Sequence, residues 1–279
     1  MKKVMIVGAG GQLGRELCSI YPEAFMVYHN STHGQASADL QNPQQIEDII
    51  VRESPDLVIN AAALANVDLC EKDHELAYAV NSQAVNSISK ACRRSGARFV
   101  HVSTDYVFDG SRGNYTESSA PNPINYYGLS KLVGDAFALS YEESVVVRTS
   151  GVFGYQKNFP IFVLETLRAG RPVNAFQGFY SPIHARNLAK AISLLVMTDF
   201  KGLINISGPR VSRYELAVRI AEEFGLDSGL VKEAADVKTL NAKRPFDSSL
   251  DNALAMKSID FDFYSAESNL KAFKSVLAQ

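Results

Sequence analysis

The hydrophobic pattern of the first half of the chain alternates between two kinds of segment. Short, almost wholly apolar runs, "KVMIVG", "AFMVY", "DLVINAAA", "RFVHVSTDYVF" and "SVVVRTSGVFG", read as strands. Between them lie longer stretches with helical spacing: "QLGRELCSIY", "PQQIEDIIVRE", "HELAYAVNSQAVNSISKACRRSG" and "INYYGLSKLVGDAFALSY". Pro43 suits the first turn of its helix, and Gly96 suits the left-handed residue that ends one. Strands without polar alternation, separated by helices, predict an α/β fold built on a doubly wound parallel sheet covered on both faces. Such a sheet binds ligands at the carboxyl ends of its strands.

Regularity weakens after about Gly154. "FPIFVLETLRAG" and "RYELAVRIAEEFG" read as helices and "LINISG" as a strand, while "HARNLAKAISLLVM" reads as a helix returning to the main sheet. The expected division is a Rossmann domain over 1–156 and 180–200, and a smaller α+β lobe over 157–179 and 201–279. No repeat or low-complexity tract interrupts either part.

Composition narrows the function. The 279 residues are 46% hydrophobic, enough for a large core. A net charge of −2 without a basic block argues against a nucleic-acid partner. No apolar stretch approaches a membrane span, and the run in "MKKVMIVGAG" is too short for a signal peptide, so the expected location is the cytoplasm. Cys18, Cys70 and Cys92, widely spaced, fit reduced thiols better than a disulfide frame or a zinc site. The five histidines are scattered, and no metal site is assigned.

"GAGGQLG" places Gly8, Gly11 and Gly14 at the first strand-to-helix turn. Backbone N–H groups free of side chains can approach a phosphate there, and the helix N-terminus adds partial positive charge. The alternative is a tight turn without a ligand. An acid ending the second strand would bind a ribose 2′-hydroxyl and repel a 2′-phosphate. That strand ends instead in His29, Asn30 and Ser31, which leans the cofactor towards NADP(H) over NAD(H). Asp39, followed by Leu40 in "ADLQN", either contacts the adenine or caps the next helix.

"VSTDYVFDG" puts Ser103, Thr104 and Asp105 at the ligand edge of the fourth apolar run, and Tyr127 and Lys131 follow one helical turn apart. That spacing alone occurs by chance; in this setting it suits carbonyl reduction. A tyrosine hydroxyl supplies the proton, and a neighbouring ammonium is expected to lower its pKa from about 10. The lysine also suits a ribose hydroxyl, and Ser or Thr suits the carbonyl oxygen; the hydride belongs to the cofactor. Tyr126 is out of register with Lys131 and reads as packing, and Asp109 of "FDG" reads as a turn former. Asn81, inside a helix, either meets the backbone or a relay water, or is a satisfied core residue.

The ordered motifs "GAGGQLG", "VINAAA", "VDLCE", "STDYVFDG", "YYGLSK", "RTSGVFG" and "RPFDSSLDN" resemble the extended short-chain dehydrogenase/reductases across nearly the whole chain. The resemblance implies NAD(P)H-dependent reduction of a 4-keto sugar on a nucleotide diphosphate, with Thr104, Tyr127 and Lys131 catalytic. It implies that Gly8, Gly11, Gln12, Leu13 and the strand end Asn60, Ala61, Ala62 and Ala63 line the cofactor. On the substrate side it points to Val67, Asp68, Asp105, Tyr106 and Gly151, with Asn158 and Arg244 at the diphosphate. Asn158 reads equally as a helix cap, and Arg244 as a surface charge.

Two motifs depart from the family. "AAALANVD" stands where an aromatic-bearing loop is usual, and Gly151 stands where a tryptophan is usual in a chain without any Trp. Three readings follow. One is a reductase making a deoxysugar for surface polysaccharide or glycoprotein. The second is an epimerase or dehydratase that regenerates its cofactor. The third is an NADP-binding regulatory subunit like that of methionine adenosyltransferase. Family members often form homodimers, sometimes through a metal; no residue here establishes either.

Overall fold

The computed structural model describes residues 3–29, 35–156, 158–234 and 241–277. Asn30 and Ser31, expected at the cofactor, lie outside the described residues. In chain order the strands are β1 (Val4–Val7), β2 (Phe25–Tyr28), β3 (Ala36–Ser37), β4 (Leu57–Asn60), β5 (Arg98–Thr104), β6 (Ser144–Thr149), β7 (Val173–Phe176), β8 (Phe179–Tyr180), β9 (Gly202–Asn205), β10 (Val211–Ser212) and β11 (Val231–Ala234).

Seven of them form one parallel sheet in the order β3-β2-β1-β4-β5-β6-β9. The chain enters at β1, moves outward to β3, then crosses back to β4 and moves the other way. That reversal separates the connections leaving β1 and β4 and opens a crevice at their carboxyl ends. Both strands are buried along their whole length, which is why they read as unbroken apolar runs. The Gln12–Ile20 and Ala185–Leu195 helices cover one face, where Leu17, Leu188 and Ile192 join Ile6, Ile59 and Val100 in one core. The Pro43–Glu53 and Ala84–Ser95 helices cover the other, packing Ile46, Ile50 and Ile88 with Met5 and Val58. The doubly wound α/β sheet and the returning helix are as expected from the sequence.

Two departures from the sequence reading bear on the main sheet and its helices. "LINISG", expected in the lobe, supplies β9, whose Leu203 and Ile204 pair with Val146 and Val147 of β6. The long helix ending at Gly96 contains a π-helical turn over Ala79–Gln83, with Asn81 inside it.

A separate core holds Ile161, Leu164, Leu216, Ile220 and Phe273 beside the pairs β7–β11 and β8–β10. There the Arg213–Glu223 helix starts with a capping box: Ser212 accepts from the Glu215 N–H, and Glu215 accepts from the Ser212 N–H. That cap fixes Arg213 as the first helical residue.

Candidate active site

The glycine turn is shaped by contact, not only by flexibility. Gly8 has φ +84°, and a Cβ there would lie 2.7 Å from the Ala62 nitrogen, so the ends of β1 and β4 touch only because Gly8 has no side chain. Gly11 caps the Gln12–Ile20 helix without a side-chain bond, leaving the first-turn N–H groups free of a capping side chain. A cavity of about 310 Å³ adjoins this turn, walled by Gly8, His29, Asp39, Leu40, Ala62 and Ala63. This arrangement suits a dinucleotide: bare backbone amides for the pyrophosphate beside a half-open, mainly apolar cleft for the adenosine.

Several predicted cofactor residues do other work. Leu13 is packed in the core. The Gln12 amide donates to the Val152 carbonyl at 2.9 Å, tying the turn to the chain after β6. Asp39 makes a turn, accepting from the Gln41 N–H at 3.0 Å, while still facing the cavity. Asn60 accepts from the Ala62 N–H at 3.1 Å, and Ala61 donates to the Val7 carbonyl at 2.9 Å, so both shape the strand ends. Asn81 reaches the backbone: its amide oxygen accepts from the Leu64 N–H at 2.9 Å, and its nitrogen donates to Ser130 Oγ at 3.1 Å.

Thr104 ends β5; its hydroxyl donates to Asp105 at 3.1 Å and accepts from the Tyr106 N–H at 3.2 Å. Asn125 caps the Tyr126–Leu139 helix through the Gly128 N–H at 2.8 Å. A Cβ at Gly128 would lie 2.0 Å from the Tyr106 carbonyl, so the helix presses on the end of β5. The rings of Tyr106 and Tyr127 then meet edge to face at 5.7 Å. Tyr126 stacks on His74, and Asp109 accepts from the Ser111 N–H and the Tyr115 hydroxyl, the packing and turn roles expected of them.

The electrostatics correct one expectation. Burial holds the Tyr127 phenol above its ordinary pKa, with the Thr104 hydroxyl opposing the shift. The lowering expected from Lys131 does not outweigh that burial. The lysine ammonium is buried under the helix, donating to the Val102 carbonyl at 2.7 Å and lying 3.2 Å from His101 Nε2. Burial brings Lys131 down to about 8, opposed by Asp135, and keeps His101 well below its ordinary value and therefore neutral. Asp135 accepts from Arg148 at 3.1 Å. The Ser103 hydroxyl nearby has no partner among the described residues. His101 was missed in the sequence; a lone histidine inside an apolar strand was its only signal.

A second cavity, about 550 Å³, is walled by Asp105, Tyr106, Gly151 and Arg244 together with Phe159, Tyr180 and Arg213, three residues the sequence did not single out. Asp105 is sealed beneath hydroxyls, accepting from Ser150 at 2.7 Å and Ser248 at 2.5 Å. Val67 opens the Val67–Lys72 helix, and Asp68 in its first turn accepts from the Ala242 N–H at 3.0 Å and from Arg244 at 2.9 Å. Those contacts, the backbone one first, hold the Asp68 carboxyl below its ordinary value. Arg244 is thus a paired cavity residue, not a free surface charge. Asn158 caps the Phe159–Arg168 helix through the Ile161 N–H at 3.0 Å, and its amide donates to the Gln156 carbonyl and to Gln12. Among the described residues no cluster of metal-ligating side chains forms, and no helix is long and apolar enough to cross a membrane.

Fold and site together define an extended short-chain dehydrogenase/reductase. The chain belongs to the family described as the RmlD substrate binding domain, whose model matches residues 1–278. It is 31% identical over 294 residues to a dTDP-4-dehydrorhamnose reductase of Aggregatibacter actinomycetemcomitans, covering 98% of this chain and 99% of that protein. Among solved structures, a hypothetical dTDP-4-dehydrorhamnose reductase from Sulfolobus tokodaii is 48% identical with a TM-score of 0.88, over 94% of this chain and 96% of that one. A dTDP-4-dehydrorhamnose reductase from Bacillus anthracis in complex with NADP is 28% identical with a TM-score of 0.89, over 98% and 99%.

Proposed function

We propose that this protein reduces the 4-keto group of a deoxyhexose carried on a nucleoside diphosphate, as a dTDP-4-dehydrorhamnose reductase does, with NADPH as the preferred reductant. The observation that carries the reading is the placing of Tyr127 edge to face with Tyr106 at 5.7 Å, behind the wall that Asp105 and Tyr106 give the second cavity and beside Thr104 at the carboxyl end of β5. Gly8, Gly11, Gln12 and Gly14 would hold the pyrophosphate. His29, Asp39, Leu40 and Ala61 to Ala63 would hold the adenosine. Asn60, Asn81 and Ser103 support the inner end of the crevice, and Lys131 the nicotinamide ribose. The bound cofactor supplies the hydride to the carbonyl carbon. Thr104 holds the carbonyl oxygen, and Tyr127 gives that oxygen its proton, so ketone plus hydride plus proton becomes a secondary alcohol. Val67, Asp68, Asp105, Tyr106, Gly151, Asn158 and Arg244 are the proposed substrate side. The division into a cofactor domain (1–156, 180–200) and a substrate lobe (157–179, 201–279) is kept, with β9 lent to the sheet. Three free thiols suit the cytoplasm. NADPH is favoured over NADH because His29, not an acid, ends the described part of β2's edge of the cavity.

The test is absorbance of the reduced nicotinamide on mixing NADPH or NADH with dTDP-4-dehydrorhamnose. Stoichiometric loss of the band is expected, faster with NADPH. An epimerase or dehydratase would show no net loss, and a regulatory subunit would bind NADP tightly without turnover.

Lys131 sets the pH response. Its ammonium is present below about 8 and is lost above. The expected kcat/KM profile is level through neutrality and falls on the alkaline side of that value. In Lys131→Arg, which keeps its charge, any residual activity lacks that fall. The same group affects stability with a definite sign. Its folded pKa lies below the unfolded one, so the cost of burying its charge is complete below about 8 and is relieved as pH rises towards 10.5. A Lys131→Met variant titrated by denaturant at pH 7 and pH 9.5 is expected to lose that gain. An unchanged pH dependence would refute the assignment.

A further inference from the structure

A diphosphate in the second cavity needs a cation, and the two side chains predicted for it are already engaged. Arg244 is paired with Asp68, and Asn158 caps a helix. Arg213 lines the same cavity and is differently placed. Its guanidinium sits 4.6 Å from the ring centroid of Tyr180 and 5.3 Å from that of Phe159. Among the described residues no carboxylate lies within ion-pair distance of it, whereas Arg210 and Arg244 nearby are each paired with an Asp. Aromatic faces can hold a guanidinium in place without neutralising it, which leaves its N–H fork for a ligand.

Tyr180 gives an independent indication. It is 7% exposed, and its hydroxyl has no hydrogen-bond partner among the described residues. Buried phenols are normally satisfied, so an orphan one on a cavity wall signals a group that arrives from outside. Its ring is fixed in place: Gly151 has φ +48°, and a Cβ there would lie 2.6 Å from Tyr180 Cε2. The absence of a side chain at Gly151 is therefore filled by Tyr180. Burial pushes this phenol up to about 12, so it is a donor at neutral pH.

The position along the cavity also fits. Arg213 and Tyr106 wall the same cavity, and Tyr106 in turn meets Tyr127 at 5.7 Å. In a hexose reduced at C4, the diphosphate-bearing C1 is across the ring from the reacting carbon. With the keto group at Tyr127, the anion falls beyond Tyr106. The carboxylate facing this cavity, Asp105, is covered by the Ser150, Ser248 and Thr104 hydroxyls and lies at the Thr104 end.

We infer that Arg213, held on the faces of Tyr180 and Phe159, is the cation that binds the substrate's diphosphate, with the Tyr180 hydroxyl donating to the same anion. The identity of that anion rests on the proposed function. The test is calorimetric binding of dTDP to the NADP-loaded protein, with thymidine as the uncharged control. Arg213→Gln is expected to weaken dTDP about 10- to 100-fold and to leave thymidine unchanged. Arg213→Lys falls between, because it keeps the charge without the planar fork. Tyr180→Phe weakens dTDP about tenfold. In turnover the loss appears in KM for the sugar nucleotide more than in kcat. Binding of dTDP within twofold of wild type in Arg213→Gln overturns the inference; if that variant does not fold, wild-type affinity in both Arg213→Lys and Tyr180→Phe overturns it equally. The outcomes separate from the function: a wild type that fails to oxidise NADPH yet binds dTDP through Arg213 refutes the reduction alone. A wild type that reduces the keto-sugar with Arg213 indifferent refutes this subsite alone.

Discussion

Tyr127→Phe is expected to lower kcat for keto-sugar reduction by about 10³-fold and to leave the Kd for NADPH within about twofold. The substitution removes one oxygen and keeps the ring. The edge-to-face contact with Tyr106 at 5.7 Å survives, and so does the capped helix that carries it. What is lost is the proton donor at the carbonyl oxygen. Burial holds the Tyr127 phenol above its ordinary pKa, so in the wild type it remains a protonated donor across the working pH range. Residual turnover in the variant comes from water reaching the same oxygen, and it should rise with acidity as wild-type turnover does not. Single-turnover loss of nicotinamide absorbance measures the step directly, and fluorescence titration of NADPH measures binding. Equal single-turnover rates in the two proteins would sink the mechanism. A large loss of NADPH affinity would instead place Tyr127 among the residues that hold the cofactor.

The parts of this site legible in the sequence are those fixed by local pattern. A parallel strand covered on both faces must be apolar throughout, so β1, β4 and β6 announce themselves. The glycine turn follows from its place between the first strand and its helix, and Tyr127 and Lys131 share a helix face by spacing alone. Spacing does not say where a long side chain turns. Lys131 folds under its helix to the Val102 carbonyl and His101, and that choice depends on β5, about 30 residues away in the chain. The substrate side was less legible because separate short segments build it. β8 and β10 are two residues each. Strands of that length carry no period to read. Arg213 and Tyr180 meet only because Val211 pairs with Tyr180 across that small ladder. Likewise β9 reads as a strand from its own residues, but only its pairing with β6 shows that it belongs to the main sheet.

Gly14→Ala is the second variant with a large expected effect, and Gly96→Ala is its control. Gly14 lies buried in the first turn of the Gln12–Ile20 helix, where a Cβ would come 2.1 Å from the Gly8 carbonyl oxygen and 2.8 Å from Ala9 Cα. Backbone, not a flexible side chain, stands in its way, so helix and turn must separate. The turn cannot yield easily. Gly8 and Ala9 both donate to the Val27 carbonyl, at 3.0 and 3.1 Å, and Gly8 is wedged against Ala62. Forced overpacking of this kind costs about 1–3 kcal/mol. The displaced atoms are those that would cradle the pyrophosphate, so NADPH binding is expected to weaken at least tenfold, about 1.4 kcal/mol. Gly96 ends its helix at φ +70° with nothing within 4 Å of a Cβ. Alanine there meets only the left-handed backbone penalty, about 1–2 kcal/mol, on an edge remote from the crevice. The two variants are therefore expected to lose similar stability in denaturant titrations, while only Gly14→Ala loses NADPH affinity. Equal affinity in both would mean that the cofactor does not lie across this turn. Weakened affinity in both would mean that general loosening of the sheet, rather than the close contact of Gly14 with Gly8, controls binding.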